Sequence, residues 1–225
     1  GSRFLEKTVS RETREQLRKD WGVKKDDVLL MFVGRVVEEK RVVELLEICL
    51  RVLGKQDNIK MMFVGAGGAI HSLEKRTREA GADSRIMFTG YVTWENIHSY
   101  YALGDIFITT SLSEMHSMTV LEALMSSLPI IARQDTSFSD TIIPGENGYL
   151  ANSDEEMDGL ILSLVNDPEK RSLFAKNSYE LSKKFSPKTF GKRTIAFYEK
   201  VLATYPEKLT DEDLRNAVES VSAEW

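Results

Sequence analysis

The stretch "VLLMFVGRVVEEKRVVELLEICLRVL", residues 28–53, decides the fold. Its first six residues, 28–33, are apolar without a break. Such a run suits a strand covered on both faces better than one with a wet side. A glycine and an arginine follow at once, and from 40 to 53 the apolar positions recur at helical spacing. The same alternation continues along the chain. "KMMFV" (60–64), "RIMFTG" (85–90), "DIFITT" (105–110) and "LPIIA" (128–132) read as strands, with helical spacing through 69–80, 95–103 and 118–127 between them. Alternation on this scale implies right-handed crossovers, and hence an α/β fold with a doubly wound, mostly parallel, Rossmann-like sheet. "PGENGYL" (144–150) is a turn leading into a short strand. Beyond it, 153–185 reads as two helices split at Asn166-Asp167-Pro168. Ser153 with Glu156 three residues on resembles a capping box, and Pro168 suits the first turn of the second helix. Residues 186–205 form another helix, and Thr210–Asp213 can cap a last one in a tail spanning 206–225.

The bulk composition narrows the class. At 225 residues the chain suits one large α/β domain or two small ones. Hydrophobic residues at 42% and charged ones at 29% are ordinary for a soluble globular protein. A net charge of −5 argues against coating nucleic acid or an anionic membrane with this chain alone. The single cysteine, Cys49, rules out an internal disulfide and falls on an apolar helical pattern, where a small core residue belongs. No run approaches the roughly 18–20 apolar residues of a membrane span, and no signal peptide is evident. Gly1-Ser2 reads as the remnant of a removed tag, so the expectation is a piece of something longer.

Ligands of open doubly wound sheets sit beyond the carboxyl ends of the strands. That singles out "GRVVEEKR", "GAGG", "GYVTWEN" and "SLSEMHSMT". Gly34 permits a tight exit from the first strand, and Arg35 and Lys40 can converge on one anion, a planar fork beside a mobile point charge. The alternative is that both cations pair with Glu38, Glu39 or Glu44 on a solvated face. Gly65-Ala66-Gly67-Gly68 opens a helix after the second strand; it either lets a ligand approach the backbone or is only a turn. In "TTSLSEMHSMTVLEAL" (109–124), a helix starting near Ser117 leaves the amides of 117–119 as unpaired donors at its positive end. Glu114 then lies in the loop before that helix and Glu122 one turn inside it. His98 and His116 form no metal-ligand spacing with them. Carboxylates accept hydrogen bonds from vicinal hydroxyls, so a sugar is the natural partner of the pair. Local capping by Glu122 and solvation of Glu114 is the plainer alternative.

Together these residues resemble the donor-binding, C-terminal half of GT-B fold glycosyltransferases, nearest to the large family of retaining enzymes numbered four in the common classification. "FVGRVVEEKR", "MFVGAGG", "IMFTGYV", "YYALGDIFITTSLSE", the pair of glutamates, "EALMSSLPIIA" and "PGENGYL" occur in that family's order and spacing, from about residue 12 to 205. The resemblance implies a nucleotide-sugar-binding domain over 3–205. Arg35 and Lys40 match the basic pair that holds the donor diphosphate and stabilises the departing nucleotide, with no metal required. Glu114 matches the carboxylate on the donor sugar, and Glu122 the one on the ribose. The loop of Met115, His116, Ser117, Met118 and Thr119 matches the segment whose amides cradle the diphosphate. Gly65 and Gly67 match the glycine turn beneath the nucleotide, and Tyr91-Val92 the segment bracing its base. The implied reaction is transfer of a sugar from a nucleotide diphosphate, by default UDP-glucose, with retention at the anomeric carbon.

Departures from the pattern carry expectations of their own. Met115-His116-Ser117 replaces a Gly-aromatic-Gly, so the cradle's path should differ, with His116 facing solvent or donating to the ligand. Glu39-Lys40-Arg41 replaces Glu-Lys-Gly, which adds a positive charge next to the diphosphate site. "ARQDTSFSDTI" (132–142) replaces a glycine-rich stretch and is similar to bacterial transferases that place glucose on diacylglycerol, making a lipid or saccharide the expected acceptor. The N-terminal GT-B half has no counterpart here, so the chain should bind nucleotide and transfer no sugar by itself. Helix 186–205, with Phe190, Ile195, Phe197 and Tyr198, should then show an apolar patch. The complete protein is expected in the cytoplasm or at the inner face of the membrane. A non-catalytic module derived from a transferase, a sugar-nucleotide epimerase and a flavodoxin-like signalling domain are the competing readings. The last would need an acidic cluster or phosphate loop where Gly34-Arg35 stands.

Overall fold

The computed structural model of the chain describes residues 9–112 and 117–204, together with residues 212 and 215. Six strands form one sheet: β1 (Val28–Val33), β2 (Ile59–Val64), β3 (Ile86–Phe88), β4 (Ile106–Thr109), β5 (Ile130–Arg133) and β6 (Gly148–Ala151). Their order is β3-β2-β1-β4-β5-β6, and every pairing is parallel. β1 and β2 pair along their whole length, from Val28 opposite Ile59 to Val33 opposite Val64. Alternate side chains of β1 serve different cores. Leu30 and Phe32 join one cluster, and Leu29, Met31 and Val33 the other. That division is why the run is apolar throughout.

The helices are α1 (Arg11–Asp20), α2 (Val42–Leu53), α3 (Ile70–Glu79), α4 (Ile97–Tyr101), α5 (Met118–Met125), α6 (Asp154–Val165), α7 (Pro168–Ser182) and α8 (Pro187–Thr204). Leu45, Leu46 and Cys49 of α2 pack with Leu73 of α3 and Met157 and Ile161 of α6 on one face of the sheet. Tyr101 of α4, Val120 and Leu124 of α5 and Leu181 of α7 fill the other. Cys49 is fully buried, and burial pushes its thiol far up, so it is an inert core residue.

Helix starts follow their caps. The Ser153 hydroxyl accepts from the Glu156 amide at 3.1 Å, while the Glu156 carboxylate takes the Asn152 amide at 2.7 Å, one residue beyond the expected reciprocal bond. Asp167 caps α7 at the Lys170 amide (2.8 Å), with Pro168 in the first turn.

Helix α1 corrects the sequence reading, which placed no helix before β1. Its sequence RETREQLRKD is nearly all polar and shows no apolar stripe to read. Ions hold it instead. Arg14 and Arg18 both reach Asp105, at 2.8 and 2.9 Å, and Asp105 also accepts from the Leu29 amide at 2.8 Å. α1 is thereby tied to the amino ends of β1 and β4. On α8, Ile195 and Tyr198 are exposed as expected, with Phe197 half-buried. The Phe190 side chain lies outside the described residues, as do the tag remnant and, apart from residues 212 and 215, the tail from 205 onward.

Candidate functional site

The strand order turns back between β1 and β4, where successive crossovers go to opposite sides and leave a crevice at the carboxyl ends. A cleft of about 270 Å³ occupies that place. Phe32, Val33 and Thr109 line its strand side, Gly34, Arg35 and Lys40 a cationic side, and Ser117, Met118 and Thr119 the side made by the start of α5.

The cationic side comes from the turn between β1 and α2. Arg35 is well exposed and lies 3.4 Å from Glu39, and the more buried Lys40 ammonium lies 4.0 Å from the same carboxylate. Both cations thus line one cleft and lie near one acid. An exposed pair of this kind is worth well under about 1 kcal/mol, so an arriving phosphate can displace Glu39 from Arg35. The Thr110 hydroxyl donates to the Arg41 carbonyl at 2.7 Å, locking the turn against the exit of β4.

Arg41 requires a correction. Its backbone is left-handed (φ 53°), a position where glycine is at ease. Its side chain runs to Glu44 (3.2 Å) and towards Asp154 (3.8 Å). The extra positive charge expected beside the cleft is thus spent on α2 and α6, and Arg41 is absent from the cleft lining.

Ser117 is the N-cap of α5, with extended backbone, yet its side chain caps no amide. Its hydroxyl meets Thr119 Oγ1 at 3.1 Å instead. Among the described residues the first amides of α5 thus have no side-chain cap, at the positive end of the helix. Glu114, Met115 and His116 lie outside the described residues.

Glu122 sits one turn into α5, half-buried. Among the described residues, its hydrogen-bond partner is the Tyr101 hydroxyl, 2.9 Å from Oε2. Burial pushes its carboxyl above the usual range, and the bond from Tyr101 works against that push. Tyr101 is fully buried, and burial first, then the Glu122 charge, raises its phenol.

Gly65 and Gly67 border the site without lining the cleft. A Cβ on Gly65 would stand 2.0 Å from the Gly34 carbonyl oxygen, and one on Gly67 2.1 Å from that of Val36. The glycines let the exits of β1 and β2 touch. Three backbone bonds lace them: Gly34 to Val64 (3.0 Å), Val36 to Ala66 (2.9 Å) and Ala69 to Val36 (3.0 Å). Gly65 also bridges Gly90, which sets Tyr91 and Val92 beside this turn. Tyr91 is 79% exposed, an aromatic face open to a flat partner, while Val92 packs on the core.

Among the described residues no three His, Cys, Asp or Glu side chains converge as a metal site. A larger groove, about 670 Å³, lies at the amino ends of β4 and β5, lined by Gly104, Asp105 and Leu128. Its arginines are engaged: Arg14 with Asp105 and the Ala102 carbonyl, and Arg171 with the carbonyls of Leu164 and Val165. Size alone would select that groove, but the convergent charges belong to the smaller cleft. The sequence reading missed Tyr101 and Thr110. An aromatic in an apolar pattern signals core, and a threonine ending a strand signals nothing more.

A family model described as "Glycosyl transferases group 1" matches residues 13–181. The "Alpha-monoglucosyldiacylglycerol synthase" of Acholeplasma laidlawii is 26% identical over 206 residues, 92% of this chain and 52% of that protein. The chain spans about half the length of the curated relatives it matches. The crystal structure of the C-terminal domain of a glycosyl transferase group 1 family protein (LpcC) from Francisella tularensis is 25% identical, with a TM-score of 0.71, over 81% of this chain and 98% of that one. Anabaena Alr3699/HepE, solved in complex with UDP, shares the fold at 19% identity and a TM-score of 0.76, over 85% of this chain and 53% of that one.

Proposed function

This chain belongs to the glycosyl transferases group 1 family, with the fold of a C-terminal GT-B domain, and we propose that it binds the nucleotide-sugar donor of a retaining transferase. The observation that carries this reading is the convergence of Arg35 and Lys40 with the uncapped start of α5 at the point where the strand order turns back. A diphosphate fits such a place. Two cations and a helix N-terminus can take up the charge that grows on the leaving nucleotide, and this aid increases as the sugar's bond breaks. In this reading the two cations substitute for the metal that other transferases use, so it needs none. Glu122 takes the ribose hydroxyls, Tyr91 and Val92 the base, and Glu114 and the segment to Ser117 the donor sugar and its phosphates.

UDP is the nucleotide of choice, supported by the UDP-bound structure of the same fold. A lipid acceptor is supported by the name of the Acholeplasma relative; a saccharide is the alternative. In this reading the acceptor site belongs to an N-terminal half, because the chain spans about half of its curated relatives. The complete protein would work in the cytoplasm or at the inner face of the membrane.

Calorimetric titration of the 225-residue chain with UDP, GDP and ADP tests the donor site. UDP should bind, and Arg35→Ala or Glu122→Ala should each weaken it roughly ten- to a hundredfold, the worth of one charge-assisted hydrogen bond. Absence of binding by any nucleotide at millimolar concentration overturns the reading. Sugar transfer by this chain alone would overturn its division of labour with a second half.

A further inference from the structure

Among the described residues the buried hydroxyl of Tyr101 meets two acceptors. Glu122 Oε2 is 2.9 Å away and the Thr119 carbonyl 3.2 Å. The ring behind it is fully buried and lies against Phe107 of β4, centroids 6.3 Å apart and planes 24° from parallel. So the hydroxyl is held by the core, whereas Glu122 is attached through a flexible three-carbon side chain.

A phenol has one proton for two acceptors. While Glu122 is ionised the carboxylate takes it, because the charge-assisted bond is the stronger. The carbonyl of Thr119 is the second place for that proton when the carboxyl carries its own and donates it to the phenol oxygen. In both states the same carboxyl oxygen is tied down. Among the described residues no other hydrogen bond reaches the Glu122 carboxylate, so Oε1 has none there, and Glu122 stands behind the residues that line the cleft.

We propose that Tyr101 is a positioning residue for nucleoside recognition: it ties Glu122 Oε2 and thereby presents Oε1 to the ribose hydroxyls. This rests on the assignment of Glu122 to the ribose made above. Tyr101 touches no ligand itself. It acts by removing the rotamer freedom that Glu122 would otherwise lose at binding, a cost that falls on ribose recognition alone.

The test compares UDP with 2′,3′-dideoxy-UDP on the 225-residue chain and on Tyr101→Phe, Glu122→Gln and the double variant, with melting temperatures read alongside. Phenylalanine keeps the ring and its stacking. Tyr101→Phe should weaken UDP about tenfold, leave dideoxy-UDP unchanged, and add nothing in the Glu122→Gln background. Equal weakening of both nucleotides, no weakening of either, or a further loss on top of Glu122→Gln overturns the proposal. Should Tyr101→Phe not fold, Glu122→Asp parts the carboxylate from the phenol while keeping its charge, and an undiminished preference for UDP in that variant overturns it as well. A parent chain that binds UDP but does not prefer it to the dideoxy form removes the ribose assignment before Tyr101 is touched. A parent chain that binds neither removes the donor site.

Discussion

Gly65 shows how much of the site rests on the absence of a side chain. Its φ of 133° and the 2.0 Å approach of the Gly34 carbonyl leave no room for a Cβ. Gly65→Ala should cost about 2 kcal/mol or more and weaken nucleotide binding too, since the displaced backbone carries Arg35. Gly68→Ala is the control: a Cβ there meets nothing within 4 Å, so chemical denaturation should find it within about 0.5 kcal/mol of the parent. Equal effects of the two would refute the crossing. Glu122 gives the residue scale a pH dependence. A carboxyl raised by burial holds its proton more tightly folded than unfolded. Its contribution therefore favours the fold below the ordinary carboxylate range and is lost as pH rises through the raised value. Glu122→Gln lacks that loss, so its melting temperature relative to the parent should climb as pH rises from the ordinary carboxylate range through the raised value. A constant difference would dismiss burial as the cause. If Glu122 takes the ribose as proposed, UDP affinity of the parent should also fall as pH is lowered through that range.

Among the elements, α2 and α6 are joined by a forked ion pair. Arg51 gives Asp158 two bonds, of 2.7 and 2.9 Å, and Asp158 is almost wholly buried while Arg51 is part-exposed. The two partners are therefore unequal. Arg51→Met strands a buried carboxylate that has, among the described residues, Lys55 at 3.9 Å as its remaining cation, and should cost about 1–3 kcal/mol. Asp158→Leu frees an arginine that can turn to water and should cost less; urea melts that rank them the other way count against the burial argument. Elements were legible where the periodic signal was strong. The central strands declared themselves because both faces are covered, and the helices beside them because one stripe is apolar. α1 was not legible, since its attachment is Asp105, far along the chain and silent in any local window. The same limit governs the site. Arg35 and Lys40 were readable from their place after β1, but the direction of Arg41 depends on Asp154, and the use of the Tyr101 hydroxyl on Glu122, 21 positions on. Long-range polar partners leave no periodic trace.

The whole molecule has two ends with different work. The amino ends of the strands hold the larger groove and the ions that fasten α1; the carboxyl ends hold the smaller cleft and the convergent cations. Its charge is uneven as well. Residues 168–204 carry nine lysines and arginines against three glutamates, a net +6 within a chain of −5. The total charge therefore excludes less than it suggested, because the basic segment is also where Ile195, Tyr198 and Leu202 stand exposed. The lacing of the β1 and β2 exits has an effect in time as well as in shape. A wall already held by three backbone hydrogen bonds has little left to arrange when an anion arrives. Arrival should then be governed by diffusion and charge, and nucleotides differing only in their base should reach the chain at similar rates. They would differ in how long they stay, so that the choice of donor is made by residence time.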